Sequence, residues 1–377
     1  MKKVKLLIAG DIMPTDDNVQ LMIDGKVDAL MGDALDVFKA ADFRFCNFEG
    51  VLTDRGVAIN KCGPNLRATP AAGRVLKDIG IDLVSLANNH SLDWGKEGLS
   101  DTITKLNELG IPFTGAGYNA SEARRPYRME LGGHKISFIT VAEHEFTIAA
   151  SDRSGANPFD PFDTIEDIEA EKKAGYTVVV IYHGGKELYR YTSPNTRRRC
   201  RKMAEHGADF IFCQHTHCVC CFENYAGCHI CYGQGNTIFA RNTSKDCWLE
   251  LVLPMITIDE SGKGSVEYFP VCVENSCIRL AHGEAADAIM QPFFARSTEI
   301  LDDAVVAEKW KEFFIKDGFG RLKSMGMLDA DGKEPTDNRL TVVSNYINAE
   351  IHYESVTSVI EYLREEKYGR LLVKGEE

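Results

Sequence analysis

Six side chains of types that bind metal each follow directly on a short apolar run: Asp11, Glu49, Asn89, His183, His215 and His217. The runs are LLIAG before Asp11, FRFCNF before Glu49, LVSLA before Asn88, Asn89 and His90, VVVIY before His183, and DFIFCQ before His215 and His217. In α/β folds the ends of strands are where ligands bind and catalytic groups sit. Taken singly, Asp11 could cap a helix, Asn89 could make a turn and His183 could be a satisfied core histidine. Recurrence at successive strand ends argues instead for one shared site. Carboxylates, an amide oxygen and imidazoles together form a borderline-hard ligand set that suits manganese, iron or zinc better than calcium or copper(I). One or two divalent ions are therefore expected. His215 and His217 stand two apart, so their loop must turn both rings toward one centre or toward two adjacent ones. A bridging carboxylate would hold a second ion about 4 Å from the first, a spacing used to activate water and bind both oxygens of a displacement.

The elements that must position these residues are legible as short Val-, Ile- and Phe-rich runs bounded by Gly, Pro, Asn or Asp. Strands are expected over 4–9, 43–48, 83–87, 136–141, 178–182, 210–213 and 229–232, with helices between them, the mark of an α/β domain. Thr69 before Pro70 reads as an N-cap with proline at the first helical position, and Thr164 with Asp167 resembles a capping box. Gly80, Gly110, Gly175 and Gly207 stand where helices would end. Beyond residue 240 the runs WLELVLPMITID and SVEYFPVCV flank ESGKG and read as an antiparallel hairpin. From about residue 280 only amphipathic helical patterns remain, including one over 342–363. The expected organisation is a catalytic domain over 1–279 and a helical C-terminal extension over 280–377.

The 377 residues are 44% hydrophobic, enough for a sizeable core, and the formal net charge of −13 argues against a nucleic-acid or anionic-membrane binder. Arg197, Arg198, Arg199, Arg201 and Lys202 form a local basic run, read as a solvated helix face. The N-terminal apolar stretch is too short for a signal peptide and no run of about 18 apolar residues occurs, so neither export nor a membrane span is expected and the chain reads as cytoplasmic. Twelve cysteines in such a chain are expected to stay reduced. Cys218 with Cys221 and Cys228 with Cys231 form two C-x2-C pairs, but so closely spaced that buried thiols are favoured over a structural metal site.

The order GDIMP, NFEG, LANNHSLDWG, HGGKE, HTH and YGQGN, together with LGIPFTGAGYNASEARRP, resembles the poly-γ-glutamate synthesis CapA family, whose members share the calcineurin-like metallophosphatase fold. The resemblance runs over 5–239. It implies an α/β fold of the four-layer α/β/β/α sandwich type with a C-terminal helical appendage. It also implies Asp11 and His217 on one metal, Glu49 bridging, and Asn89, His183 and His215 on the second. His90 would contact substrate and protonate the leaving oxygen, a task for which histidine needs no special tuning. Asp93 would orient His90, Glu187 would support the ligands from behind, and Lys61 and Arg67 would lie in a cleft-facing loop where either could bind an anion, with exposed surface residues as the ordinary alternative. Related phosphatases carry D-x-H in the first motif; here Met13 takes the histidine's place, which leaves the first metal one ligand poorer. The implied substrate is a small anionic compound, a phosphate ester, or a γ-glutamyl polymer. No G-x4-GK[ST] loop is present, so a ligase role would need partner subunits. A scaffold with a vestigial site is the remaining alternative.

Overall fold

The computed structural model describes residues 1–61, 63–239 and 246–324. Within them, two sheets lie face to face. In the eight-stranded sheet the order is Cys277–Leu280, Gly264–Glu274, Glu250–Ile258, Val4–Ile12, Phe43–Phe48, Leu83–Ser85 and Phe113–Thr114, with Asn236–Ile238 paired alongside the end of Val4–Ile12. The strands from Val4–Ile12 to Phe113–Thr114 run parallel. The six-stranded sheet has the order Phe222–Tyr225, Cys228–Cys231, Phe210–Gln214, Thr177–His183, His134–Ala142 and Tyr127–Leu131, parallel in its middle and antiparallel at both edges.

Alternation along the strands explains the layering. Leu6 and Ile8 face the second sheet and pack with Phe45, Phe138, Val179, Ile181 and Phe212. Their neighbours Leu7 and Ala9 face outward onto Phe38, Leu76, Leu99 and Leu106 of the helices covering the first sheet. In the second sheet Val178, Val180 and Tyr182 face the opposite outer layer, where Ile168, Cys200 and Met203 lie. Successive side chains point to opposite faces, and with both faces covered the strands read as unbroken apolar runs. This is the four-layer α/β/β/α order that the sequence resemblance implies.

All seven expected strands form, with small changes at their ends: the first extends to Val4–Ile12 and the third stops at Leu83–Ser85. The edge strands Tyr127–Leu131 and Phe222–Tyr225 were not anticipated. One capping expectation needs correction. The helix Pro161–Lys173 starts earlier than Thr164, with Asp160 accepting from Phe162 N and Asp163 N, and Asp167 instead pairs with Arg124 at 2.8 Å. Thr69 stands at the N-cap of the 3-10 turn Pro70–Gly73 with proline at its start, as expected, although its hydroxyl bonds Asp54 rather than the turn's backbone. Gly110 closes the helix Gly95–Leu109 in the left-handed region, φ 71°, as expected of a residue without a Cβ.

The predicted hairpin is Glu250–Ile258 with Gly264–Glu274, and Asp259 accepts from Ser261 N and Lys263 N across its turn. After it come the helices Gly283–Glu299 and Asp303–Ser324. The first buries Ile289 and Phe293 against Val219 and Val252. The expected helix over 342–363 lies outside the described residues. Among the described residues, no helix is long and apolar enough to cross a membrane.

Candidate metal centre

Strands of the two sheets end at the same edge of the sandwich, and their terminal residues converge. Asp11 and Glu49 come from the first sheet and are 1% and 0% exposed; Asn89 and His90 follow Leu83–Ser85. His183 ends Thr177–His183, and His215 and His217 follow Phe210–Gln214. Ligand atoms of Glu49, His183 and His215 lie within 4.8 Å of one another, as do those of Asp11, Glu49 and His217. Glu49 is thus common to two donor groups. His183 Nε2 is 3.6 Å and His217 Nε2 3.9 Å from Glu49 Oε1. Asn89 joins the first group, its Oδ1 3.0 Å from His183 Nε2, while its amide nitrogen donates to Glu145 Oε2 at 3.0 Å.

The centre has the marks of a cation site. Both Glu49 oxygens are enclosed without a hydrogen-bond partner, and so is His215 Nδ1. Burying such groups uncompensated costs several kcal/mol, which a bound cation would offset. Burial first, then the charge of Asp11, pushes the Glu49 carboxyl well above the ordinary carboxylate range. Burial and the neighbouring imidazoles hold His183 well below its usual value, hence in the neutral form a metal requires. His215 and His217 both adopt left-handed backbone, φ 83° and 55°, a conformation non-glycine residues keep only where the surroundings enforce it. This donor set fits a divalent metal ion.

Beside it, His90 Nδ1 lies 2.6 Å from Asp93 Oδ2, which leaves Nε2 facing the centre, 4.0 Å from Glu49 Oε1. Burial lowers the His90 pKa against the opposing pull of Asp93. Asp93 is itself fixed by Leu66 N at 2.6 Å and by an ion pair with Lys61. Glu187 Oε1 stands 3.9 Å from His215 Nε2, on a half-exposed side chain.

Several placements differ from the sequence reading. Lys61 is no exposed residue: its side chain is 1% exposed, and Nζ reaches His90 Nδ1 at 3.0 Å and Asn89 O at 3.2 Å. Arg67 is exposed, stacked 3.8 Å over the Trp94 ring. Asn47, given no role in the sequence, donates to Asp11 Oδ1 at 2.7 Å, and Asn236 holds His217 Nδ1 at 2.8 Å. Both stand inside quoted motifs, NFEG and YGQGN, which was the available signal. The basic run is engaged rather than merely solvated: Arg197 pairs with Asp303, Arg199 with Glu143 and Arg201 with Glu223. Cys213, Cys218, Cys220, Cys221, Cys228 and Cys231 are buried and free, and among the described residues no cysteine belongs to a metal-type cluster. Burial raises the Cys221 and Cys228 thiols, which makes them inert packing groups.

Residues 5–241, well over half of the chain, match the model of the family described as bacterial capsule synthesis protein PGA_cap. The chain belongs to this family. Among its relatives, the PGA biosynthesis protein CapA of Bacillus subtilis is 28% identical over 248 residues, covering 64% of each chain. The match therefore spans just under two thirds of that relative's length. A probable polyglutamine synthesis accessory protein of Mycobacterium tuberculosis is 29% identical over 222 residues, 55% of this chain and 58% of its own. Among solved structures, a 5'-nucleotidase precursor from Thermus thermophilus aligns at 14% identity with a TM-score of 0.42, over 77% of this chain and 59% of that one. All six candidate ligands of this PGA_cap chain fall inside the matched region, whereas the helices Gly283–Glu299 and Asp303–Ser324 lie beyond it.

Proposed function

We propose that this PGA_cap protein is a metal-dependent hydrolase that cleaves a phosphate ester of a small anionic substrate. The observation that carries the reading is the pair of buried donor groups sharing Glu49, with His90 aimed at the same point. When bound, the ions supply positive charge that polarises a phosphoryl oxygen and acidifies water. Asp11, Glu49, Asn89, His183, His215 and His217 hold them. His90, kept in register by Asp93 at Nδ1, delivers a proton from Nε2 to the departing oxygen when in its cationic form, a form that burial disfavours and Asp93 favours. The acidic net charge does not oppose an anionic substrate, because the ions dominate the local field. Residues 280–377 act as an extension to this hydrolase over 1–279.

The test is metal content by elemental analysis alongside turnover of generic phosphomonoesters and phosphodiesters supplied with manganese. His215→Ala is expected to lose metal and activity together. His90→Ala is expected to keep metal and lose about 10²–10⁴-fold in rate. A wild-type protein free of stoichiometric metal and inert toward these esters overturns the reading, as does full turnover in both variants.

A second reading is favoured by the relatives' names, in which poly-γ-glutamate synthesis recurs. On it the same centre processes a γ-glutamyl polymer, and the protein shortens such chains while ignoring phosphoesters. The name of the mycobacterial relative, an accessory protein, supports the non-catalytic alternative.

A further inference from the structure

Neither histidine of the HTH turn keeps its backbone by local preference, since both sit at positive φ. Something beyond the turn must hold it. One side is pinned within the matched region: Cys220 N donates to Gly233 O at 3.0 Å, and Val219 pairs with Gln234. On the other side the turn's own Thr216 O accepts from Leu188 N at 2.9 Å, also within the matched region. The carbonyls of Val219 and Cys220 instead point at the helix Gly283–Glu299, and Arg296 meets both, Nε donating to Cys220 O at 2.7 Å and Nη2 to Val219 O at 2.9 Å. The Arg296 residue is 9% exposed. Its planar fork satisfies two neighbouring buried acceptors at once, which a lysine cannot do with the same geometry.

The second loop of the centre is held from the same quarter. Glu187 lies between His183 and Tyr189, and the Tyr189 ring packs on Trp310 at 5.3 Å and Phe313 at 4.6 Å. Tyr191 donates its hydroxyl to Glu299 Oε2 at 2.6 Å, and Cys220 Sγ links the two loops through Tyr189 O. The helix residues in these contacts, Arg296, Glu299, Trp310 and Phe313, all lie beyond the family match at 5–241.

We propose that the C-terminal helices are a positioning brace for the imidazole half of the metal centre, with Arg296 as the residue that holds the Val219–Cys220 segment on which the His215–His217 turn ends. The inference rests on the metal-centre reading. Groups that orient ligands from outside commonly contribute 10–100-fold to metal affinity. Arg296 touches none of the candidate ligands, so it acts through the Val219–Cys220 segment that follows the turn.

The experiment compares manganese and zinc affinity, by calorimetry on the full chain, in wild type, Arg296→Met, Arg296→Lys and Ile289→Ala. Ile289 is buried two turns back on the same helix, and its truncation lowers stability without removing a bond to that segment. Arg296→Met is expected to weaken metal binding roughly tenfold or more, with Arg296→Lys intermediate. Ile289→Ala is expected to lower the melting temperature yet bind metal as wild type does. Equal affinity in Arg296→Met and wild type overturns the inference, and so does an equal loss in Ile289→Ala, which would mark a general effect of destabilisation. A wild type that binds no metal instead removes the metal-centre reading beneath it.

Discussion

The two sheets contribute to the centre in chemically different ways. The first sends Asp11, Glu49 and Asn89, two carboxylates and an amide; Asp11 accepts from Asn47, and Asn89 donates across to Glu145. The second sends His183, His215 and His217, and holds two of them in strained backbone. Each donor group takes members from both sheets, Glu49 with His183 and His215, or Asp11 and Glu49 with His217. Neither sheet alone can therefore assemble a site. The division also makes the two halves unlike: the group with two imidazoles is the softer, and the group with two carboxylates the harder and the poorer in ligands.

Glu49 is the point at which the comparison breaks most completely, because it belongs to both halves. Glu49→Gln preserves shape and removes the charge. Both ions are expected to be lost, measured as metal per chain, while the metal-free protein melts no lower than wild type, since the variant no longer buries an uncompensated acid. Retention of one ion would mean that one half stands without the shared carboxylate.

A pH titration of metal binding separates the two sheets next. Metal needs ionised carboxylates and neutral imidazoles. Glu49 is held well above its ordinary range, so at lower pH its proton competes with the ion; His183 is held well below, so it is already neutral and releases nothing. Affinity should therefore fall as pH falls, by about tenfold per unit for one competing proton. Calorimetry in buffers of different ionisation enthalpy should count about one proton released per chain. A dependence that instead follows free histidine near pH ~6.5 would assign the competing protons to the second sheet.

What the sequence made legible follows the same division between local and long-range causes. The strands of both sheets were readable because burial on two faces writes an unbroken apolar run, as in FRFCNF and VVVIY. The edge strand Tyr127–Leu131 was not, for its residues are alternately half-buried and exposed and carry no such run. The six candidate ligands are legible from their place after a strand, and the structure brings Asp11, His183, His215 and His217 to Glu49, with Asn89 beside His183. Their supports were not. Asn47 and Asn236 are small amides whose partners lie on other strands, Lys61 is buried only because Asp93 and His90 are folded against it, and Arg296 meets carbonyls 76 and 77 residues away. Nothing within a few residues of any of these announces its partner.

The smallest effect concerns the ligand-poor half. The sequence resemblance implies a histidine where this chain has Met13, and the surroundings show where that side chain lies. A Cβ built on Gly50 would fall 2.5 Å from Met13 Sδ, so the methionine fills the space beside the residue that follows Glu49. Met13 is 2% exposed and therefore enclosed near the shared carboxylate rather than turned to solvent. Met13→His is of similar bulk and would bring an imidazole to the half that has only one. The expected result is a second binding event tightened by roughly tenfold, with the first unchanged, resolved as two steps in a zinc titration. If instead both steps move, the halves are not independent, and the asymmetry between the sheets lies in Glu49 rather than in the missing histidine. If neither moves, the side chain at position 13 points past the Asp11–His217 pair, and the poorer half is completed by the Asn236 carboxamide side of the site or not at all.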